Sequence, residues 1–196
     1  EIEGCEGKNG VSKVFIRLKK NEIKIIKASM LCVSGGLNPD IHLFTQSKGL
    51  LKWDENLLTF KPERTFQNTI TLGSASGNFN YERLVDEIDK KLGFLEESND
   101  LEIKLSISGP KKFQIKELWE TKHAKKSLWS KSFIDLQNDV TTKDLRQAVN
   151  EGFDRIEHLK RFTTNSMGTD QGKISSINAL GIVSKILKKN ISEVGT

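Results

Sequence analysis

The apolar residues of this 196-residue chain change their spacing along its length, and that change limits what the chain can fold into. Up to about residue 36 they alternate or run together, as they do in strands; from 141 to 188 they recur every three or four residues, as on helix faces. A polar stretch broken by Gly109-Pro110 lies between. A strand-bearing part and a small helical part are expected, with residues 95–131 connecting them.

Within the first part, Val14-Phe15-Ile16-Arg17-Leu18 and Ile23-Lys24-Ile25-Ile26 read as two strands around a polar turn from Lys19 to Glu22. The continuous run Ala28 to Ser34 reads as a strand buried on both faces, ending in Gly35-Gly36 and then Leu37-Asn38-Pro39-Asp40. A buried strand feeding a glycine pair is one way an α/β domain brings backbone close to a ligand, and a plain turn is the other reading. A second such element runs from Thr69 to Gly77, followed by a helical pattern from Tyr81 to Leu92 that places Leu84, Val85, Ile88 and Leu92 on one face and stops at Gly93. Its Gly73-Ser74-Ala75-Ser76-Gly77 turn is a possible phosphate or flavin cradle or a structural turn. Neither element carries GxGxxG or a Walker sequence. One further strand is read at Leu101–Ile107.

In the helical part, Thr141 or Thr142 caps a helix to Glu151 with Leu145, Ala148 and Val149 inward and Gly152 as its end. Asp154 is expected to cap a short helix bearing Ile156, Leu159 and Phe162. A third helix is expected from about Ile174 to Lys188, with Ile177, Leu180, Val183, Ile186 and Leu187 inward, lysines at its C-terminal end and Asn190 as its stop.

Composition excludes several classes. A length of 196 residues suits one large domain or two small ones. No apolar run approaches the roughly 18–20 residues of a membrane span and no signal peptide opens the chain, so the cytoplasm is the expected compartment. Cys5 and Cys32 lack metal-ligand spacing. The net charge of +5 is spread over scattered lysines; the densest group, Lys122, Lys125, Lys126 and Lys131 beside Trp119 and Trp129, reads as a solvated linker rather than a nucleic-acid surface. A charged face for an acidic partner subunit is the other use of such a balance. The opening at Glu1, without methionine, and the end at Gly195-Thr196 are those expected of a piece of a longer chain.

The stretch Val140-Thr141, Gly152-Phe153, Glu157-His158-Leu159-Lys160-Arg161-Phe162-Thr163-Thr164 and Met167-Gly168-Thr169-Asp170-Gln171-Gly172-Lys173 resembles the small helical domain of bacterioferritin-associated ferredoxin, which holds a two-iron two-sulfur cluster. Laid on that pattern, the four ligand positions are Asp135, Gln137, Asp170 and Ser175, none of them cysteine. Carboxylate, amide and hydroxyl are poor ligands for iron–sulfide chemistry, so the resemblance implies a scaffold without its cluster.

The wording of this degenerate form, from Asp135-Leu136-Gln137-Asn138-Asp139 to the closing Glu193-Val194-Gly195-Thr196, is similar to the α subunits of heterotetrameric sarcosine oxidases. So is Cys32-Val33-Ser34-Gly35-Gly36-Leu37-Asn38-Pro39, His42-Leu43-Phe44-Thr45-Gln46, Trp53-Asp54 and Phe60. The resemblance implies an α/β fold, the C-terminal portion of a FAD/NAD(P)-binding Rossmann-like domain over 1–94, then a connecting segment over 95–131 and an all-α ferredoxin-like domain over 132–196. It implies NAD in this subunit, FAD and a covalent FMN in the β subunit or at its boundary, γ and δ partners, and a tetrahydrofolate domain after residue 196. The implied reaction is oxidative demethylation of sarcosine to glycine, yielding hydrogen peroxide and methylenetetrahydrofolate, with no catalytic residue and no metal in this stretch.

On that resemblance Gly35, Gly36, Asn38, Leu43 and Thr45 contact NAD, with ordinary loop packing as the alternative. Thr164, Asp170, Lys173 and Ser175 lie on the FMN side, with Asp170 and Ser175 alternatively serving only as capping groups that replace lost ligands. His42 and His158 read as structural. The rival readings are an α subunit of a related amine, opine or proline dehydrogenase, and a docking or electron-transfer module without nucleotide.

Overall fold

A computed structural model describes residues 2–19, 22–93, 115–120 and 132–195. They gather into two compact units, one made of the residues up to Gly35 together with Leu118 to Gly195, the other running from Gly36 to Glu117. The sequence keeps 1–94 together; in the structure the division falls between Gly35 and Gly36, so the first strands group with the helical part. The strand read at Leu101–Ile107, the Gly109-Pro110 break and the lysine cluster at 122–131 lie outside the described residues.

The first unit opens with an antiparallel meander of β1 (Ile2–Glu6), β2 (Lys13–Arg17) and β3 (Ile23–Lys27), β2 in the centre. The β2–β3 pair is the hairpin that alternation predicts, with Phe15 opposite Ile25 and Val14 opposite Ile26. Val14 is buried. β1 is not legible in Ile2–Glu6, whose glycine and two glutamates weaken the strand signal.

The strand expected over Ala28–Ser34 does not form. After Lys27 one ladder-like contact remains, from the Ala28 N–H to the Ser12 carbonyl at 3.2 Å, and the chain continues as irregular backbone. Met30 and Val33 are 74% and 73% exposed, so the apolar run is not buried on either face. A strand needs a neighbour to take its N–H and C=O groups, and among the described residues none pairs here.

The helical part begins with a short antiparallel pair, β6 (Phe133–Asp135) and β7 (Val140–Thr141). It continues through α3 (Thr142–Asn150), α4 (Ile156–Thr163), α5 (Ser176–Leu187) and α6 (Ile191–Val194), with α3 packed on both α4 and α5. Leu145, Ala148, Leu159, Ala179, Val183 and Val194 are completely buried. Burying a leucine- or valine-sized side chain contributes roughly 1.5–3 kcal/mol, so these contacts hold the helices together. The α3 boundaries follow from its ends: the Asp144 carboxylate accepts from the Thr141 N–H at 2.8 Å and its hydroxyl at 2.6 Å. Gly152 then turns the chain with φ +96°.

Two expected ends differ. Asp154 does not cap α4; Arg155 occupies that position, and the Asp154 carboxylate instead pairs with Lys189 at 3.0 Å. Nor does Asn190 end α5. Lys188 does so with φ +54°, and Asn190 caps α6, accepting into a box with Glu193. Trp119 packs against α5 at Gly181, where an added Cβ would lie 2.4 Å from the indole ring.

The second unit holds α1 (His42–Gln46), the hairpin β4 (Leu50–Asp54) and β5 (Thr59–Arg64), and α2 (Tyr81–Leu92). Trp53 lies opposite Phe60, their rings edge to face with centroids 5.1 Å apart. The Asp54 carboxylate closes the turn by accepting the Asn56 and Leu57 N–H groups and pairs with Lys61. Residues 69–72 form no strand, and Gly73–Ser76 is a single 3-10 turn.

That turn is tied to α2 by Glu87. Its carboxylate accepts from the Gly73 N–H, the Ser76 hydroxyl, the Asn78 amide and Lys91. Burial pushes this carboxyl up, but those four donors outweigh it and hold it at about 2. A depressed carboxyl stabilises the fold fully above its ordinary value near 4.3; that contribution is lost as pH falls from there toward 2.

Two measurements test this packing. Gly181→Ala should lower stability by about 1–3 kcal/mol in urea titrations followed by tryptophan fluorescence, whereas Gly93→Ala, in open space, should change it by less than about 0.5 kcal/mol. Glu87→Gln should lower stability at pH 7 by about 1–3 kcal/mol and flatten its fall between pH 4 and 2; an unchanged acid limb would show that Glu87 does not organise the turn.

Candidate functional site

The four positions that align with cluster ligands, Asp135, Gln137, Asp170 and Ser175, meet in one set of loops. Asp135 ends β6, and the turn it starts is closed by its own carboxylate: Oδ1 accepts the Gln137 N–H at 2.9 Å and the Asn138 N–H at 3.2 Å. Its other oxygen reaches across the domain to accept the Ser166 N–H at 2.8 Å. Ser166 continues the chain of contacts, its hydroxyl 2.9 Å from that of Ser175 and accepting from the Ser176 hydroxyl and the Asn165 amide. Asp135, Asn165, Ser166 and Ser175 are all buried.

A second bridge runs alongside. The Gln137 side-chain Oε1 accepts the Thr169 N–H at 2.6 Å and the Thr169 hydroxyl at 2.9 Å. The Asn138 amide donates to the Thr164 carbonyl at 3.0 Å. Asp170 folds back on its own loop, accepting the Gly172 and Ile174 N–H groups at 3.1 Å each. Contact is close enough to favour glycine twice: a Cβ at Gly168 would lie 2.2 Å from the Gln137 side-chain Oε1, and one at Gly172, where φ is +77°, 2.2 Å from the Ser176 hydroxyl.

The electrostatics favour a fixed carboxylate. Burial alone would push the Asp135 carboxyl up, yet the N–H groups of Ser166, Gln137 and Asn138 outweigh it and hold it below the usual carboxylate range. Asp135 is therefore an anion satisfied by neutral donors, which is stable inside a protein only because each oxygen is hydrogen-bonded.

Each residue expected on the FMN side has a definite place. Asp170 and Ser175 are occupied by the contacts above. Thr164 is exposed at the end of α4 with φ +60°, its hydroxyl donating to the Thr163 carbonyl. Lys173 is exposed and makes no ion pair among the described residues. A flavin phosphate finds a poor cradle in this loop, because the Gly172 and Ile174 amides already bond Asp170. The buried Asn165 Oδ1 accepts no hydrogen bond among the described residues. Lys173 and Thr164 remain as outward polar contacts.

The residues expected at NAD lie at 35–38 and on α1. Gly35, Gly36 and Asn38 are exposed in irregular backbone, and a Cβ at either glycine would meet nothing within 4 Å. Leu43 is 81% exposed, and the Thr45 hydroxyl donates to the His42 carbonyl at 2.9 Å. The 73–77 turn is closed by its contacts to Glu87. Ser166, Asn138 and Thr169 are not legible in the sequence as partners of the ligand positions; their only signal is that each lies within a loop that bears one.

Residues 129–196 match the family described as the sarcosine oxidase A3 domain. The chain is 29% identical over 178 residues to the sarcosine oxidase subunit alpha of Corynebacterium sp. (strain P-1), covering 87% of this chain and 18% of that one. It is 29% identical over 200 residues to the same subunit of Rhizobium meliloti (strain 1021), covering 98% and 20%. It thus spans about a fifth of the length of these curated relatives. The crystal structure of L-proline dehydrogenase from P. horikoshii shares the fold, with TM-score 0.59 and 23% identity over all of this chain and 40% of that one. That likeness accords with the α/β-then-helical order seen here. Among the described residues no helix is long and apolar enough to cross a membrane.

Asp135→Asn should lower stability at pH 7 by about 1–3 kcal/mol, because an amide cannot accept three N–H groups as strongly. The wild-type contribution is present above an ordinary carboxyl pKa of about 4 and is lost as pH falls through the lowered value. Thermal melts from pH 7 to 2 should therefore converge for the two proteins in acid; parallel curves would show that the Asp135 carboxylate does not hold these loops together.

Proposed function

On the premise that this chain belongs with the α subunits of sarcosine oxidase, residues 129–196 being their A3 domain, we propose that it is a supporting, non-catalytic part of a flavin-dependent oxidoreductase. The reaction assigned to the complex is the oxidation of the N-methyl group of sarcosine, with glycine, hydrogen peroxide and a folate-bound one-carbon unit as products. Bound flavin supplies the redox chemistry by accepting electrons from the amine. This chain's residues bind and position.

The observation that carries the reading is the closure of the A3 loops. Where a ferredoxin-like shell would offer four thiolates to iron, Asp135, Gln137 and Ser175 spend their polar atoms on bridges between these loop segments and Asp170 on closing its own loop. Such a domain serves as a rigid block beside the cofactors and is unsuited to relaying electrons. Thr164 and Lys173 face the FMN of the partner subunit, with Asp170 and Ser175 holding their loop in place. In the other unit and its approach, Gly35 and Gly36 leave room for NAD to come close to the chain, Asn38 offers an exposed amide side chain, Leu43 an apolar surface and Thr45 a local brace.

The test uses the full-length α subunit with the subunits that co-purify with it. Calorimetry should find one NAD site per α subunit, weakened about 10-fold by Gly36→Val or Asn38→Ala, one lost contact of about 1.4 kcal/mol. Sarcosine should reduce the flavin and produce peroxide, and Lys173→Ala should perturb the flavin spectrum while sarcosine oxidation persists. Absence of NAD binding, or reduction by proline and not by sarcosine, would overturn the assignment.

A further inference from the structure

The chain has four sulfur atoms, in Cys5, Met30, Cys32 and Met167, and all four lie at the surface. Met30 is 74% exposed and Met167 56%. The buried apolar side chains of both units are aliphatic or aromatic, Val14, Phe44, Phe60, Leu145 and Leu159 among them. Cysteine and methionine are ordinarily among the most buried residue types, methionine because its flexible thioether fills gaps that stiffer side chains leave. This chain closes its cores without sulfur, the element of a protein most readily oxidised.

Local structure keeps both thioethers outside. Met30 stands in the irregular stretch after β3, where no strand pairs among the described residues to cover it. Met167 stands on a loop that is pinned just before it. Its own N–H donates to the Thr164 carbonyl at 3.2 Å, and the Asp135 carboxylate accepts the preceding Ser166 N–H at 2.8 Å. Thr164 and Ser166 are held at φ +60° and +65°. A backbone movement that buried Met167 would break those contacts.

We propose that Met30 and Met167 are oxidation sites of this chain, at which hydrogen peroxide converts a thioether to a sulfoxide while the fold stays intact. This rests on the oxidase reading for the source of the peroxide. The sulfur lone pair attacks one peroxide oxygen; the O–O bond breaks, an S–O bond forms, and the departing hydroxide takes the remaining proton to become water. The thioether loses two electrons and the peroxide gains them. Hydrogen peroxide is small and uncharged, so burial rather than charge decides which thioethers it reaches. A sulfoxide is polar, and inside a core it would disrupt packing and lose its hydration. At the exposed positions of Met30 and Met167 it stays in water. A reductase that uses a dithiol returns it to the thioether, with a disulfide and water as products, so the modification is reversible.

The experiment uses the native complex containing the full-length α subunit, with sulfoxide read peptide by peptide in a mass spectrometer and unfolding followed by thermal melts. Added peroxide should oxidise Met30 and Met167 at rates within roughly 5-fold of a free methionine derivative. The melting temperature of the oxidised complex should shift by less than about 2 °C. Leu159→Met, close in volume, puts a thioether at a fully buried position, where oxidation should be at least about 10-fold slower than at Met30. Leu180→Met, also buried, replaces it if that variant does not fold. Reductase and dithiol should remove the sulfoxides. With sarcosine and oxygen in place of added peroxide the same two sulfoxides should form, and catalase should prevent them. Protection of either methionine from added peroxide, unfolding on their oxidation, or an equal rate at the buried thioether would overturn the proposal. So would turnover that releases peroxide and leaves both methionines unmodified. Turnover of sarcosine that releases no peroxide would overturn the oxidase reading and remove the source, while the added-peroxide arm still decides the two sites.

Discussion

A buried carboxylate bridging two distant loops organises the helical domain. Asp135 holds Ser166, 31 residues away, through a backbone N–H, while closing its own turn with two more. The connection between α4 and α5 that it anchors has little intrinsic reason to keep its shape. Thr164, Ser166 and Gln171 all have positive φ without being glycine, each at a cost of about 1 kcal/mol. Side-chain and backbone hydrogen bonds must offset that strain, and Asp135, Gln137, Asn138 and Asp170 supply the acceptors and donors that do so.

The chemistry of those groups also explains what the domain can be. Metal ligation requires donors with lone pairs turned toward a common centre. Here the carboxylates, the amide and the hydroxyl are turned toward neighbouring N–H and O–H groups. The helices keep their apolar contacts, Leu145, Leu159 and Val183 among them, independently of that exchange. A scaffold whose core is apolar and whose loops are separately stitched holds its shape through two independent sets of contacts. The outward consequence is a fixed surface, with Leu136, Met167 and Ile174 held where they cannot retreat.

The second unit follows the same logic on a smaller scale. Glu87 takes up the Gly73 amide and the Ser76 hydroxyl, groups of the kind that a small-residue turn offers to a phosphate. Whether a turn's amides are free is a question of which acceptor reaches them. The answer lay on α2, 14 residues later.

The chain's own order of residues determined the elements whose signals are local. Alternation at 14–18 and 23–26 specified the β2–β3 hairpin, three- and four-residue spacing specified α3, α4 and α5, and Thr141 and Gly152 marked the ends of α3. The wording of the ligand loops pointed to Asp135, Gln137, Asp170 and Ser175 as positions that belong together. Tertiary structure alone decided the rest. Apolarity at 28–34 did not decide burial, since burial requires a partner surface and that run has none among the described residues. Asp154 went to Lys189 rather than to a helix end, Trp119 found Gly181, and Ser166 became the centre of the polar bridge. Each of those outcomes depends on which side chain arrives within hydrogen-bonding or van der Waals distance from a remote part of the chain, and short-range periodicity carries no information about that encounter.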